Sequence, residues 1–253
     1  MTLVLLVRHG LTAATGSVLS GWTPGIALDD RGVAQAQALA ARLAPMPLDA
    51  IVTSPLDRCA QTAAAIAAGR DQGSLHIDER LGECRYGDWT NKPLKKLAKE
   101  PLWRVVQQHP SAARFPGPDG ESMPDMQHRA VAAVRDWNAR LGPSASYVIC
   151  SHGDVIKAIV ADALGLHLDQ CQRIQADPCS LTVIRYTPLR PFLVRMNDTG
   201  GDVTALIRGG TGAGRDGQSD AVVGGGAGEA GVDADGGAGG AATRETVTAD
   251  AQG

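Results

Sequence analysis

The chain has 253 residues, 43% of them hydrophobic and 20% charged, which are the proportions of a folded globular protein long enough to bury a core. A net charge of −3 excludes a polyelectrolyte attraction to nucleic acid or to an anionic membrane. The 31 glycines are unevenly placed: residues 209–253 hold 15 of them with ten alanines, seven acids and two arginines, leaving residues 1–208 at +2.

Leu3–Val7 is a short, continuous apolar run broken at Gly10 and predicts a buried strand. Asp29 or Asp30 can cap a helix from about Arg31 to Leu43, which the Pro45/Pro47 pair ends. A second strand follows over Asp49–Val52, then an alanine-rich helix from Asp57 to Ala68 with Gly69 at its end and Asp57 as its cap. Leu75–Ile77 reads as a short third strand. Pro93–Pro118 is polar and punctuated by proline, with a weak helix near Trp103–Gln108, and reads as a lid or insertion. A long helix is expected from about Asp125 to Leu141, a core strand over Tyr147–Cys150 and a helix over Gly153–Leu164. Leu181–Tyr186 and Phe192–Met196 close the series around a turn at Pro188 and Pro191.

Strands alternating with helices predict an α/β fold whose mainly parallel sheet is covered on both faces. Beyond about residue 205 the Gly/Ala/Asp composition cannot bury enough apolar surface to offset chain entropy, so residues 206–253 are expected to be a disordered tail. Five cysteines in no CxxC pair argue for reduced thiols and against a disulfide framework or structural zinc. The apolar start is too short for a signal segment, and no run approaches the ~20 residues of a membrane span. The expectation is a cytoplasmic protein with no cofactor, no metal, and no nucleic-acid or membrane partner. A homodimer is plausible, although no clear apolar patch argues for one.

Two tripeptides carry the chemistry. Arg8-His9-Gly10 follows the first strand, and Ser151-His152-Gly153 lies between a later strand and a helix. Ligands of open α/β sheets sit beyond the carboxyl ends of strands, so both histidines are placed at the expected mouth. A neutral imidazole is a good nucleophile toward phosphorus, and a phosphoryl group in transfer needs cations around its oxygens. Arg8 and Arg58 supply guanidinium forks suited to phosphate, and His152 at a helix start adds a donor. Zinc ligation by His9, His152 and Glu83 is the less attractive reading, because two arginines stand beside the histidines. His76, His109, His128 and His167 lack partners in sequence and read as surface or helix-face residues. Cys150 reads as a buried strand residue, and Trp22 and Trp89 as packing near the pocket.

The sequence resembles the histidine phosphatase superfamily, which includes the cofactor-dependent phosphoglycerate mutases. The motifs follow in the family's order over about residues 3–200. They are Arg8-His9-Gly10-Leu-Thr12, Ser20-Gly21-Trp22 with Leu28 to Gly32, Ser54-Pro55-Leu56-Asp57-Arg58 with Gln61-Thr62, Leu81-Gly82-Glu83 with Tyr86-Gly87-Asp88-Trp89, Gly120-Glu121-Ser122, and Ser151-His152-Gly153. The resemblance implies a three-layer α/β/α sandwich of the phosphoglycerate mutase type over residues 1–205, with a lid at about 92–120. It implies His9 as nucleophile, Arg8, Arg58 and His152 as phosphoryl ligands, and Glu83 as the acid that protonates the leaving oxygen, with Glu121 and Asp57 as weaker competitors. Thr15, Ser20, Gly21, Tyr86 and Gly153 are further expected substrate contacts. Thr15 stands where the family often has Asn. The lysine position of mutases falls near Leu94, and no double arginine follows, which favours water as the phosphoryl acceptor and a small phosphorylated metabolite as substrate. A phosphoglycerate mutase and a catalytically weak phospho-ligand-binding protein are the alternatives.

Overall fold

The structure, a computed structural model, describes residues 1–71 and 73–200. In chain order its regular elements are β1 (Thr2–Arg8), β2 (Val18–Leu19), α1 (Asp30–Leu43), β3 (Ala50–Thr53), α2 (Asp57–Ala67), β4 (Ser74–Ile77), β5 (Lys92–Pro93), α3 (Leu94–Leu97), α4 (Pro101–Gln108), α5 (Met123–Leu141), β6 (Ser146–Ser151), α6 (Gly153–Ala163), β7 (Leu181–Tyr186) and β8 (Pro191–Asp198). Six strands form one sheet in the order β4-β3-β6-β1-β7-β8. The first four run parallel, and β7 and β8 join them antiparallel.

Alternation along the buried strands builds the three layers. Val4 and Leu6 of β1, Val52 of β3 and Ile149 of β6 face one apolar cluster, which α5 and α6 cover. Leu5, Val7, Ile51 and Val148 point the opposite way, into a second cluster covered by α1 and α2. The architecture is the expected three-layer α/β/α sandwich with a mainly parallel sheet.

Local signals explain most element starts. Asp29 caps α1 by accepting from the Gly32 N–H, a contribution of about 1 kcal/mol. The long helix α5 begins at Met123, two residues earlier than expected, because Ser122 is its cap and accepts from the Asp125 N–H. Asp57 is not the cap of α2, which is Leu56; its carboxylate instead accepts from the Gly25 N–H at 2.8 Å and ties down the preceding loop. The expected insertion is an ordered segment. β5 pairs with β2, and Leu97, Trp103, Val106 and Phe115 are buried in the larger cluster.

The domain boundary near residue 205 and the tail lie outside the described residues. All five cysteines are free and buried. No helix among the described residues is long and apolar enough to cross a membrane.

Candidate active site

Three parallel strands deliver the site at their carboxyl ends. Arg8, the last residue of β1, sits opposite Ser151, the last of β6, and the His9 N–H donates to the Ser151 carbonyl at 3.0 Å. Beside them the Ser54 N–H donates to the Cys150 carbonyl at 3.0 Å as the chain leaves β3 for α2. Arg58 is the second residue of α2, so its side chain projects back over the strand ends. The turn after His9 needs glycine on both sides. A Cβ on Gly10 would stand 2.6 Å from the Gly32 carbonyl oxygen, and one on Gly32 would stand 2.0 Å from that of Leu11.

His9 Nδ1 lies 2.7 Å from the Gly10 carbonyl oxygen, which assigns the ring proton to Nδ1 and leaves the Nε2 lone pair available. Arg58 Nε donates to that Nε2 at 3.3 Å. Burial and the adjacent Arg58 and Arg8 guanidinium groups hold His9 well below the usual imidazole range, so the ring is neutral at neutral pH. Arg58 is 3% exposed. Its Nη2 donates to the Gly21 carbonyl at 2.9 Å and lies 3.3 Å from His152 Nδ1. Its Nη1 is buried and has no hydrogen-bond partner among the described residues. Arg8, fully buried, donates from Nη1 to the Ala176 carbonyl at 2.9 Å.

His152 stacks edge-on to His9 with ring centroids 5.2 Å apart. Its Nε2 is 2.8 Å from Ser54 Oγ and its Nδ1 is 3.8 Å from Glu83 Oε2. Burial, then Arg58 and His9, also keep this ring neutral. Glu83 follows Gly82, which must be glycine because a Cβ there would meet the Trp22 ring at 2.2 Å. The Trp22 indole N–H donates to the Glu83 carbonyl, and Arg129 donates to the same oxygen at 2.9 Å. With its backbone held, the Glu83 carboxyl points inward. Burial and the neighbouring Asp154 carboxylate push it up to about 7, against the opposing pull of Arg58.

A narrow cleft opens over this cluster. Arg8, His9, Arg58 and Glu83 form its deep end, and Thr15, Ser20, Gly21 and Tyr86 line it as the sequence suggested. Thr12, Gly16, Val18, Leu19 and Leu94 complete the wall. Two expected contacts stand apart from that wall: His152 lies completely buried behind it, and Gly153 is buried at the start of α6. Thr15 Oγ1 bonds the Thr12 N–H at 3.0 Å and the Thr12 hydroxyl at 2.9 Å. Glu121, the competing acid, is clamped by Arg129 at 2.6 Å and is not in the wall. Trp22 and Trp89 pack as expected, Trp22 beneath Arg85 and Trp89 against Phe115. Among the described residues no group of three or more His, Cys, Asp or Glu is arranged to hold a metal ion.

Sequence alone carries no local signal for the roles of Arg129 and Asp154, and Ser54 is marked only by its place in the Ser54-Pro55-Leu56-Asp57-Arg58 motif. Chemically, a neutral imidazole beside two guanidinium groups can attack an electrophile that carries negative oxygens once the long Arg58 hydrogen bond to its Nε2 gives way to the substrate. A buried carboxyl near its proton-transfer midpoint can serve as acid and then as base.

Residues 4–199 match the model of the histidine phosphatase superfamily (branch 1). A probable phosphoglycerate mutase GpmB of Yersinia pestis is 30% identical over 188 residues, covering 74% of this chain and 86% of that protein. Among solved structures, Bacillus stearothermophilus YhfR aligns with a TM-score of 0.70 at 27% identity, covering 78% of this chain and 98% of that one. The phosphoserine phosphatase of Entamoeba histolytica, solved with 3-phosphoglyceric acid, aligns with a TM-score of 0.70 over 78% of this chain and 98% of its own; at 24% identity it shows a shared fold.

Proposed function

The chain belongs to the histidine phosphatase superfamily, and from that premise we propose that it is a phosphatase hydrolysing small phosphomonoesters through a phosphohistidine. His9 Nε2 attacks phosphorus while the Glu83 carboxyl passes its proton to the leaving alcohol oxygen. Glu83, now a carboxylate, takes a proton from water as that water attacks the phosphohistidine. Phosphate leaves, and His9 and the protonated Glu83 are regenerated. Arg8 and Arg58 neutralise the oxygens in both steps, and His152 supports Arg58 from behind through its Nδ1.

The observation that carries this reading is the pairing of His9 Nε2 with a buried Arg58 whose Nη1 has no hydrogen-bond partner among the described residues. A buried guanidinium N–H left unsatisfied costs about 1–3 kcal/mol, a cost that a phosphate oxygen bound there removes. No metal enters this scheme, since the two arginines supply the charge that a metal would otherwise bring.

The GpmB relative makes phosphoglycerate mutase the second reading. Leu94 favours hydrolysis: it lines the cleft where a mutase is expected to present a lysine, and among the described residues Arg8 and Arg58 are the only lysine or arginine side chains in the wall. A bisphosphate would find little to hold its second anionic group while it turned over. The segment 92–120, which contributes Leu94, is the element proposed to set specificity. Incubation with 3-phosphoglycerate and the 2,3-bisphosphate decides the acceptor, with chelator present throughout. Inorganic phosphate is expected. Isomer without phosphate would make the protein a mutase, and activity restored only by added metal would overturn the metal-free scheme.

A further inference from the structure

Behind the cleft lies a buried polar chain that the proposed reaction does not use. Asp154, 1% exposed in the first turn of α6, accepts from the Tyr86 hydroxyl at 2.9 Å. Lys157, one turn along the same helix and 3% exposed, stands 3.6 Å from Asp154 and donates to Gln172 at 3.1 Å. A carboxylate and an ammonium taken together out of water cost several kcal/mol per ion before their attraction is counted. Apolar residues of the same volume would fill this place at less cost. Tyr86 is the end of the chain that reaches the cleft, whose wall it shares with Glu83.

We propose that Asp154 is a positioning residue for the proton-donating Glu83. Held by Lys157 and by the Tyr86 hydroxyl, its fixed negative charge sets the pH range over which Glu83 delivers a proton, and its bond to Tyr86 fixes that ring in the cleft wall. The inference rests on the phosphatase reading, in which Glu83 is the acid. Glu83 is faced by Arg8 from β1, by Arg58 and Cys59 from α2, and by Arg129 from α5 at its backbone. His152 and Asp154 face it from the head of α6, and Cys84 and Tyr86 from its own loop. The arginines favour the carboxylate form. Among these groups Asp154 is the principal opposing charge.

The test is the pH profile of kcat/KM for an alkyl phosphomonoester, whose basic limb reports loss of the Glu83 proton. Asp154→Asn is expected to move that limb down by about one pH unit, the scale of a single nearby charge. Tyr86→Phe, which strips a donor from Asp154 and leaves its charge less compensated, is expected to move the limb up and to raise KM. A uniform loss of rate with the limb unmoved in both variants is the signature of a merely structural network and would overturn the inference. If Asp154→Asn fails to fold, Tyr86→Phe decides alone, since a limb that stays or falls contradicts the proposal. Wild-type protein that hydrolyses no phosphomonoester at any pH would instead sink the phosphatase reading.

Discussion

Arg58 Nε donates to the unprotonated Nε2 of His9 at 3.3 Å, two buried groups that would repel if the imidazole were protonated. The contact links two jobs. It keeps the nucleophile neutral, and it holds a guanidinium beside the atom where a phosphoryl group would bond. Arg58→Lys keeps the charge and loses the fork, so the substitution is expected to lower kcat/KM by about a hundredfold or more on every phosphomonoester. Steady-state kinetics on two unrelated substrates would check this; a variant within threefold of wild type on both would show that the fork is dispensable.

Glu83→Gln removes the proton donor while preserving shape. An alkoxide leaving group needs that proton and an aryl oxide needs it far less. The change should cost about a hundredfold on an alkyl phosphate and much less on an aryl phosphate. Equal losses on both would argue that Glu83 binds rather than donates.

The same carboxyl links pH to stability. Its folded value of about 7 stands above the ordinary carboxylate value of 4.5, so the folded chain binds the proton more tightly than the unfolded one. The resulting stabilisation is full below about 4.5 and is lost as pH rises through 7. Glu83→Gln, which never ionises, is therefore expected to raise Tm relative to wild type at pH 8 and to change it little at pH 4.5. His9 and His152, held below 6.5, act with the opposite sign and withdraw stability as pH falls below that value. Scanning calorimetry of wild type and variant at both pH values provides the comparison, and a variant less stable than wild type at pH 8 would contradict it.

Leu94→Lys places a cation in the cleft wall. It should lower KM for 3-phosphoglycerate by about fivefold, the effect of roughly 1 kcal/mol, and leave a phosphomonoester with a neutral leaving group unimproved. Improvement on both alike would mean that Leu94 does not discriminate by charge.

Much of this site is legible because its parts sit beside strand ends. Arg8-His9 and Ser151-His152 each follow a run of buried apolar residues, and the parallel pairing of β1 with β6 brings the two together without further information. The glycines of the motifs have a packing reason visible only in three dimensions: Gly10 backs onto Gly32, and Gly82 onto Trp22. What escaped the sequence reading acts across long separations. Arg129 reaches the Glu83 carbonyl over 46 residues, and Tyr86 reaches Asp154 over 68, contacts with no periodicity to betray them. Segment 92–120 looked polar because its apolar residues are scattered, yet Leu97, Trp103 and Phe115 converge on one cluster once α3 and α4 form.

The central claim is that His9 carries the phosphoryl group, and the most direct measurement is a rapid-quench trap with radiolabelled p-nitrophenyl phosphate, followed by denaturation at high pH and peptide mapping. The expected result is an alkali-stable, acid-labile label on the peptide containing His9, absent from His9→Ala. Label that persists in His9→Ala, or steady turnover with no label trapped at any time, would contradict it.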